Sequence, residues 1–169
     1  MTYYTLLSSP VGQLLLAGSK DTLERIHFVR GRTVLTPDPG WIESAEVFHE
    51  AAQQLAAYFA GERTEFDLPM KPAGKPFQLR VWSELRRIPY GQTISYGQLA
   101  RRIGQPTASR AVGLANGANP VPIVIPCHRV IGVNGKLTGF GGGIDVKEKL
   151  LALERGERSL GFFDCTSVS

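Results

Sequence analysis

The segment that most constrains this chain is "LPMKPAGKP", residues 68–76, which puts three prolines and a glycine into nine positions. Proline fixes φ, removes a backbone donor and clashes with a preceding helical turn, so neither a helix nor an interior strand runs through such a stretch. The stretch divides the 169 residues into 1–75 and 76–169. Each part suits a small domain, and together they are long enough to bury a real core.

The front part begins with strands. "TYYTLLS" and "QLLLAGS" are rich in aromatic and aliphatic residues, with "SPVG" as the turn between them. In "LERIHFVRG", Ile26 and Phe28 alternate with Arg25 and His27, which places His27 on the surface face of a half-buried strand. After "TPDPG" the period changes. "SAEVFHEAAQQLAAYFAG" reads as a helix with Phe48, Ala51, Ala52, Leu55 and Phe59 on one stripe, His49 outside it and Gly61 as its stop.

The back part is mostly helical. "FQLRVWSELRRI" carries Phe77, Val81, Leu85 and Ile88 on one face. In "TISYGQLARRIG", Ser95 and Gln98 fit a capping box, with Leu99 and Ile103 inward and Gly104 as the stop. Pro106 then opens "PTASRAVGLANG", giving a helix-turn-helix pattern. "VPIVI" reads as a buried strand or extended segment. In "DVKEKLLALERG", Asp145 is the expected N-cap and Leu150, Leu151 and Leu153 form the apolar stripe. Glu154 lies on the same side as Leu150. A carboxylate facing a core needs a partner; the alternative is a side chain reaching outward from the rim.

The overall charge of +4 is unevenly spread. Residues 1–75 hold seven Lys/Arg against nine Asp/Glu, and residues 76–169 hold twelve against six. A basic back half suits a polyanionic partner or, equally, a solvated basic surface. The second helix of the pair offers few base-reading side chains. It presents small residues and one long cation, Arg110, which argues against a sequence-reading regulator. Small residues allow close approach to a narrow groove, and one arginine can fill a gap in a base stack; packing against another helix is the competing reading. No segment reaches the ~18 apolar residues of a membrane span. With no export signal expected in "MTYYTLLSSPVG", the expected home is the cytoplasm, where both cysteines stay free thiols.

Those cysteines are Cys127 and Cys165, 38 positions apart. Four readings compete for Cys127 in "VPIVIPCHRVIG". It is a buried packing residue, a metal ligand, a hydrolase nucleophile, or a thiolate that attacks an alkyl carbon. Two cysteines and three histidines show no zinc-site spacing. In an extended chain adjacent side chains point apart, so His128 reaches Cys127 only across a turn or through a water.

The segments "PVPIVIPCHRVIG", "SYGQLA", "ASRAVGLANGANP", "TGFGGG" and "KEKLLALERG" resemble, in order and spacing, the O6-alkylguanine-DNA alkyltransferases, also called methylated-DNA–protein-cysteine methyltransferases. The resemblance is close over residues 76–156 and looser before them. It implies an α+β fold: a small ribonuclease-H-like N-terminal domain over 1–75, ending in the proline-rich linker, and a mainly helical C-terminal domain over 76–169 that carries the helix-turn-helix. It also implies stoichiometric DNA repair, in which an alkyl group passes from O6 of guanine, with O4 of thymine as a second candidate, to Cys127. By matching position, His128 takes the thiol proton through a water and Glu154 orients the imidazole. Tyr96 bonds a guanine ring nitrogen, Asn119 ties the helix-turn-helix to the active-site segment, and Arg110 fills the gap left by a nucleotide flipped through the minor groove. The backbone at Cys127 and Val130 meets the guanine amine, and Gly141 meets its O6. Phe140 stands where the pocket often has tyrosine. The partner implied is double-stranded DNA, bound by a monomer, with cooperative assembly on DNA left open. No cofactor and no metal are expected, since the zinc site of some relatives needs cysteines that this N-terminal half lacks. A damage-binding protein without transfer is the alternative, opposed by the presence of Cys127.

Overall fold

The computed structural model describes residues 1–29, 37–135, 140 and 142–157. The chain opens with β1 (Tyr3–Ser9), β2 (Gly12–Gly18) and β3 (Leu23–Val29), an antiparallel meander, and β4 (Ile42–Glu43) adds parallel to β1, giving the order β3-β2-β1-β4. Register follows the period-2 pattern. Thr5, Leu16 and Ile26 align across the three strands, as do Leu7, Leu14 and Phe28. The central strand is covered on both faces, for Leu14, Leu15 and Leu16 are all fully buried. His27 pairs across the sheet with Leu15 and is half-buried, not a plain surface residue as alternation alone suggests. Burial, and then the charge of Arg25, lower its pKa.

A short 3-10 turn, Glu46–Phe48, leads into α1 (His49–Phe59), so the helix starts five residues later than its pattern implies. The stripe is also wider than expected. Gln54 and Tyr58 are buried along with Ala51, Leu55 and Phe59, whereas His49 is exposed. Gln54 satisfies its amide by exchanging two hydrogen bonds with the Asp67 backbone, at 3.0 and 2.9 Å.

The proline-rich stretch is pinned rather than loose. Leu23 N–H donates to Pro69 O at 2.8 Å, and Lys71 N–H to Leu23 O at 3.2 Å. At Gly74 a Cβ would sit 2.5 Å from the Trp82 ring, so only glycine lets the chain cross there. Pro76 then occupies the first turn of α2 (Pro76–Leu85), where its missing N–H costs nothing. The rest of that apolar pattern, through Ile88, is a turn.

β5 (Ile94–Ser95) runs straight into α3 (Tyr96–Arg102). Ser95 caps it as the sequence implies: Gln98 N–H donates to Ser95 Oγ at 3.1 Å, and Ser95 N–H donates to Gln98 Oε1 at 2.8 Å. α4 (Ser109–Gly117) completes the helix-turn-helix but begins three residues after Pro106. Trp82 Nε1–H donates to Ala115 O at 2.8 Å, which fastens α4 to α2. Residues 121–125 form a buried turn, not a strand: Ile125 N–H reaches back to Val121 O at 2.9 Å, and Ile123 has φ +76°. A β-branched residue in the left-handed region costs on the order of 1–3 kcal/mol and persists only where its surroundings hold it. After β6 (Val130–Ile131), α5 (Ile144–Glu154) closes the domain. Its N-cap is Gly143, with φ +99°, and Asp145 lies inside the first turn.

One hydrophobic core runs through both domains. Ile26 N–H donates to Pro120 O at 2.9 Å, and Phe28 of β3 packs on Phe140 with ring centres 5.5 Å apart.

Candidate active site

Parallel pairing of β5 with β6 builds the site. Ile94 aligns with Val130 and Ser95 with Ile131. The α3 cap therefore sits beside the segment that follows Cys127, and Tyr96, the first residue of α3, is carried with it. The Tyr96 ring lies against Gly113 of α4, where a Cβ would be 3.7 Å away, in ordinary contact.

Cys127, His128 and Arg129 form a single 3-10 turn, so this chain is not extended here and neighbouring side chains need not diverge. All ten residues 121–130 are buried. Asn119 braces the turn: its Nδ2 donates to Ile125 O at 2.8 Å and its Oδ1 accepts from Val121 N–H at 3.0 Å. Asn116 Nδ2 reaches Cys127 O at 3.3 Å. Burial pushes the Cys127 thiol up to about 11, against the opposing pull of the Asn119 hydrogen bond and the Lys147 charge. About one thiol in ten thousand is then ionised at pH 7. A base that takes the proton during the reaction is required.

His128 is positioned for that task. Its ring is wholly buried and its Nε2 lies 2.6 Å from Glu154 Oε2. Burial keeps Glu154 from ionising freely, but the hydrogen bonds from His128 and Arg129 and the Arg129 charge outweigh it and hold the carboxyl well below the usual carboxylate range. An ionised Glu154 accepts, so Nε2 carries the imidazole proton and Nδ1 presents a lone pair. Nδ1 is buried, with no protein partner among the described residues. Burial lowers the His128 pKa; Glu154 pulls it up, and Arg129 and Lys147 push it down again. The ring is therefore a neutral base at pH 7.

Three residues of this cluster were not singled out from the sequence. Arg129 is buried and grips Glu154 in a fork, Nε to Oε1 at 2.7 Å and Nη2 to Oε2 at 3.0 Å, while Nη1 donates to Ile88 O at 2.7 Å. Tyr58, from the N-terminal domain, donates its hydroxyl to Glu154 Oε2 at 2.6 Å. Lys147 is fully buried and donates to Val130 O at 2.7 Å; burial lowers its pKa against the attraction of Cys127. A signal for Lys147 was present: it falls with Leu150, Leu151 and Glu154 on one face of α5. Tyr58 falls three residues after Leu55, so only a broader stripe would have included it.

The family model described as "6-O-methylguanine DNA methyltransferase, ribonuclease-like domain" matches residues 2–72, and that described as "6-O-methylguanine DNA methyltransferase, DNA binding domain" matches residues 76–156. A methylated-DNA–protein-cysteine methyltransferase of Methanosarcina acetivorans is 52% identical over 152 residues, covering 90% of this chain and 97% of that one. The chain belongs to this family. A relative of the same name from Mycolicibacterium paratuberculosis is 53% identical over 166 residues, covering 97% and 100%. The solved structure of Mycobacterium tuberculosis OGT in complex with DNA superposes with a TM-score of 0.87 at 48% identity, over 95% of this chain and 97% of that one.

The remaining residues assigned by the methyltransferase resemblance divide by position. Phe140 is half-buried against Phe28. Gly141 lies outside the described residues, as does Cys165. At neighbouring Gly142 a Cβ would come within 2.9 Å of the Phe28 ring, so a side chain there would strike the N-terminal sheet. The Val130 carbonyl accepts from Lys147, which leaves it a second lone pair for a base amine, whereas the Cys127 carbonyl already accepts from both Asn116 Nδ2 and the Val130 N–H. Arg110 stands apart from this cluster, exposed near the start of α4. One turn on, Leu114 is 73% exposed, so this face is not composed only of small residues and one cation.

Proposed function

We propose that Cys127 is the alkyl acceptor in the family's repair reaction and that it reacts once. The observation that carries this is the buried 3-10 turn in which Cys127 adjoins a neutral His128 held by ionised Glu154. As a methylated-DNA–protein-cysteine methyltransferase, the chain repairs DNA by direct reversal of guanine alkylation. In the proposed step a water passes the thiol proton to His128 Nδ1. Sulfur attacks the alkyl carbon, the C–S bond forms as the C–O6 bond breaks, and the electron pair stays on guanine. Tyr96 donates to the ring nitrogen and stabilises the leaving base. The spare lone pair on Val130 O accepts the guanine amine, which the Cys127 backbone faces from the other end of the turn. Phe140 contributes an apolar edge without a hydroxyl, and Gly141 an amide towards O6. Lys147 favours the thiolate by its charge, and Asn119 by its hydrogen bond.

DNA is the macromolecular partner. The finer reading is entry through the minor groove, with Arg110 filling the stack behind a flipped nucleotide, by a protein that is monomeric in the absence of DNA. The free thiol fits a reducing compartment, and we assign the chain to the cytoplasm; among the described residues no helix is long and apolar enough to cross a membrane. Residues 1–75 and 76–169 are taken as the two domains.

The test is titration of methylated duplex against fixed protein, followed by intact-mass measurement. One equivalent transferred, a single alkyl adduct on Cys127 and no transfer by Cys127→Ser are expected. Several equivalents per molecule, or activity in Cys127→Ser, would exclude this reading.

A further inference from the structure

We propose that the N-terminal domain reaches into the reaction through one side chain: the Tyr58 hydroxyl, by sharing Glu154 Oε2 with the imidazole, sets the proton affinity of His128. This rests on the proton-relay reading above.

Tyr58 comes from α1, 96 positions before Glu154, and its ring is fully buried. Contacts with Phe59, Phe66 and Tyr90, at 5.5, 5.4 and 6.2 Å between ring centres, fix it in place. Phenylalanine would fill that space as well. The hydroxyl instead makes a 2.6 Å bond to the oxygen that lies 2.6 Å from His128 Nε2. Burying a hydroxyl is costly unless it is bonded, and a short bond to a carboxylate is among the stronger kinds. Every donor on Oε2 draws off charge that would otherwise stabilise a proton on His128. The titratable and charged groups around the imidazole are Glu154 and Lys147 from α5, Cys127 and Arg129 from its own turn, and Tyr58 from α1, with Tyr90 acting through Arg129. Arg129 and Lys147 oppose a proton on His128 by their charge. Tyr58 is the neutral donor, and burial raises its own pKa so far that it stays protonated throughout.

Two variants should move His128 in opposite directions. Tyr58→Phe keeps the ring and removes the donor, leaving Oε2 more charge for an imidazolium. Placing 3-fluorotyrosine at Tyr58 keeps every contact but supplies a more acidic phenol, hence a stronger donor. The readouts are the 15N NMR titration of His128 and the pH dependence of single-turnover transfer from a free O6-alkylguanine base, which needs no DNA contact. The expected result is a His128 titration raised by about half a pH unit or more in Tyr58→Phe and lowered in the fluorinated protein, with the acid limb of the rate following each. A titration unmoved in both, or moved the same way in both, overturns the proposal and leaves Tyr58 a packing residue. A displaced titration with an unmoved rate profile sustains the Tyr58 coupling and removes the relay instead. Should Tyr58→Phe fail to fold, the fluorinated protein decides alone.

Discussion

The cluster around Glu154 and the exposed face of α4 are built on opposite principles. Around Glu154 every charge is answered inside the protein: five hydrogen bonds reach the carboxylate, from Tyr58, His128, Arg129 twice, and the Gly91 amide at 3.3 Å. On α4, Arg110 and Leu114 sit one turn apart in solvent. The first region is complete before any substrate arrives. The second has features that make sense once something else covers them. Preorganised electrostatics need the former arrangement, and a surface that must meet a polyanion of any sequence needs the latter.

Substitutions can break this contrast, and the largest effect is expected inside the cluster. Arg129→Met leaves the buried Glu154 charge without its main counter-ion. A broken buried pair of this kind typically costs about 3–5 kcal/mol, which urea denaturation should show as a large drop in midpoint. A change below 1 kcal/mol would mean that the cluster is not over-determined.

Glu154→Gln comes next. Transfer from a free base should slow by about 100-fold, at the low end of what general-base catalysis supplies, and the acid limb of the rate profile should move to lower pH because the imidazolium loses its stabiliser. The same variant also bears on acid stability. The folded-state pKa of Glu154 is depressed, so its contribution is present above the unfolded value of about 4.3 and is lost as pH falls towards the folded one. Wild type should therefore lose more stability than Glu154→Gln between pH 5 and pH 2, measured by denaturation at each pH.

Arg110→Ala should do the reverse of Arg129→Met. Stability should hold within about 0.5 kcal/mol, and free-base reaction should be unchanged, while duplex repair slows by about tenfold, since only duplex substrate must be unstacked. Equal losses on both substrates would remove Arg110 from the DNA face. The smallest effect is expected for Leu114→Ala, a twofold to fivefold weaker duplex affinity, worth under about 1 kcal/mol, with no change in melting. An unchanged affinity would confine the DNA face to Arg110 and its small neighbours.

The two regions also differed in how well they could be read in advance. The apolar periods of β1 to β3, α2 and α3 gave the elements, because one buried face forces a repeat. The Ser95 cap was legible because its chemistry is local. Glu154 was legible as an inward carboxylate, since it shares a face with Leu150. The buried turn at 121–125 was not, because a short apolar run looks alike as a strand or a turn, and nothing in a β-branched Ile123 announces a positive φ. Tyr58 and Arg129 acquire their roles from contacts across 96 and 25 positions, which no local pattern encodes. The starts of α4 and α5 differ from the local signals at Pro106 and Asp145, and α1 begins after a 3-10 turn that its apolar period does not distinguish from helix.

The chain has two tryptophans, and their settings differ. Trp41 is half-exposed beside Tyr4, whereas Trp82 is dry and its indole N–H ends on the Ala115 carbonyl. That bond makes Trp82 an optical gauge of how α4 is seated. Its emission should be blue-shifted and shielded from iodide, and any event that lifts α4 from α2 would redden it while Trp41 keeps its own constant signal. The protein thus carries a fluorescent reporter whose indole bonds the backbone of the helix proposed above to meet DNA, with no label needed.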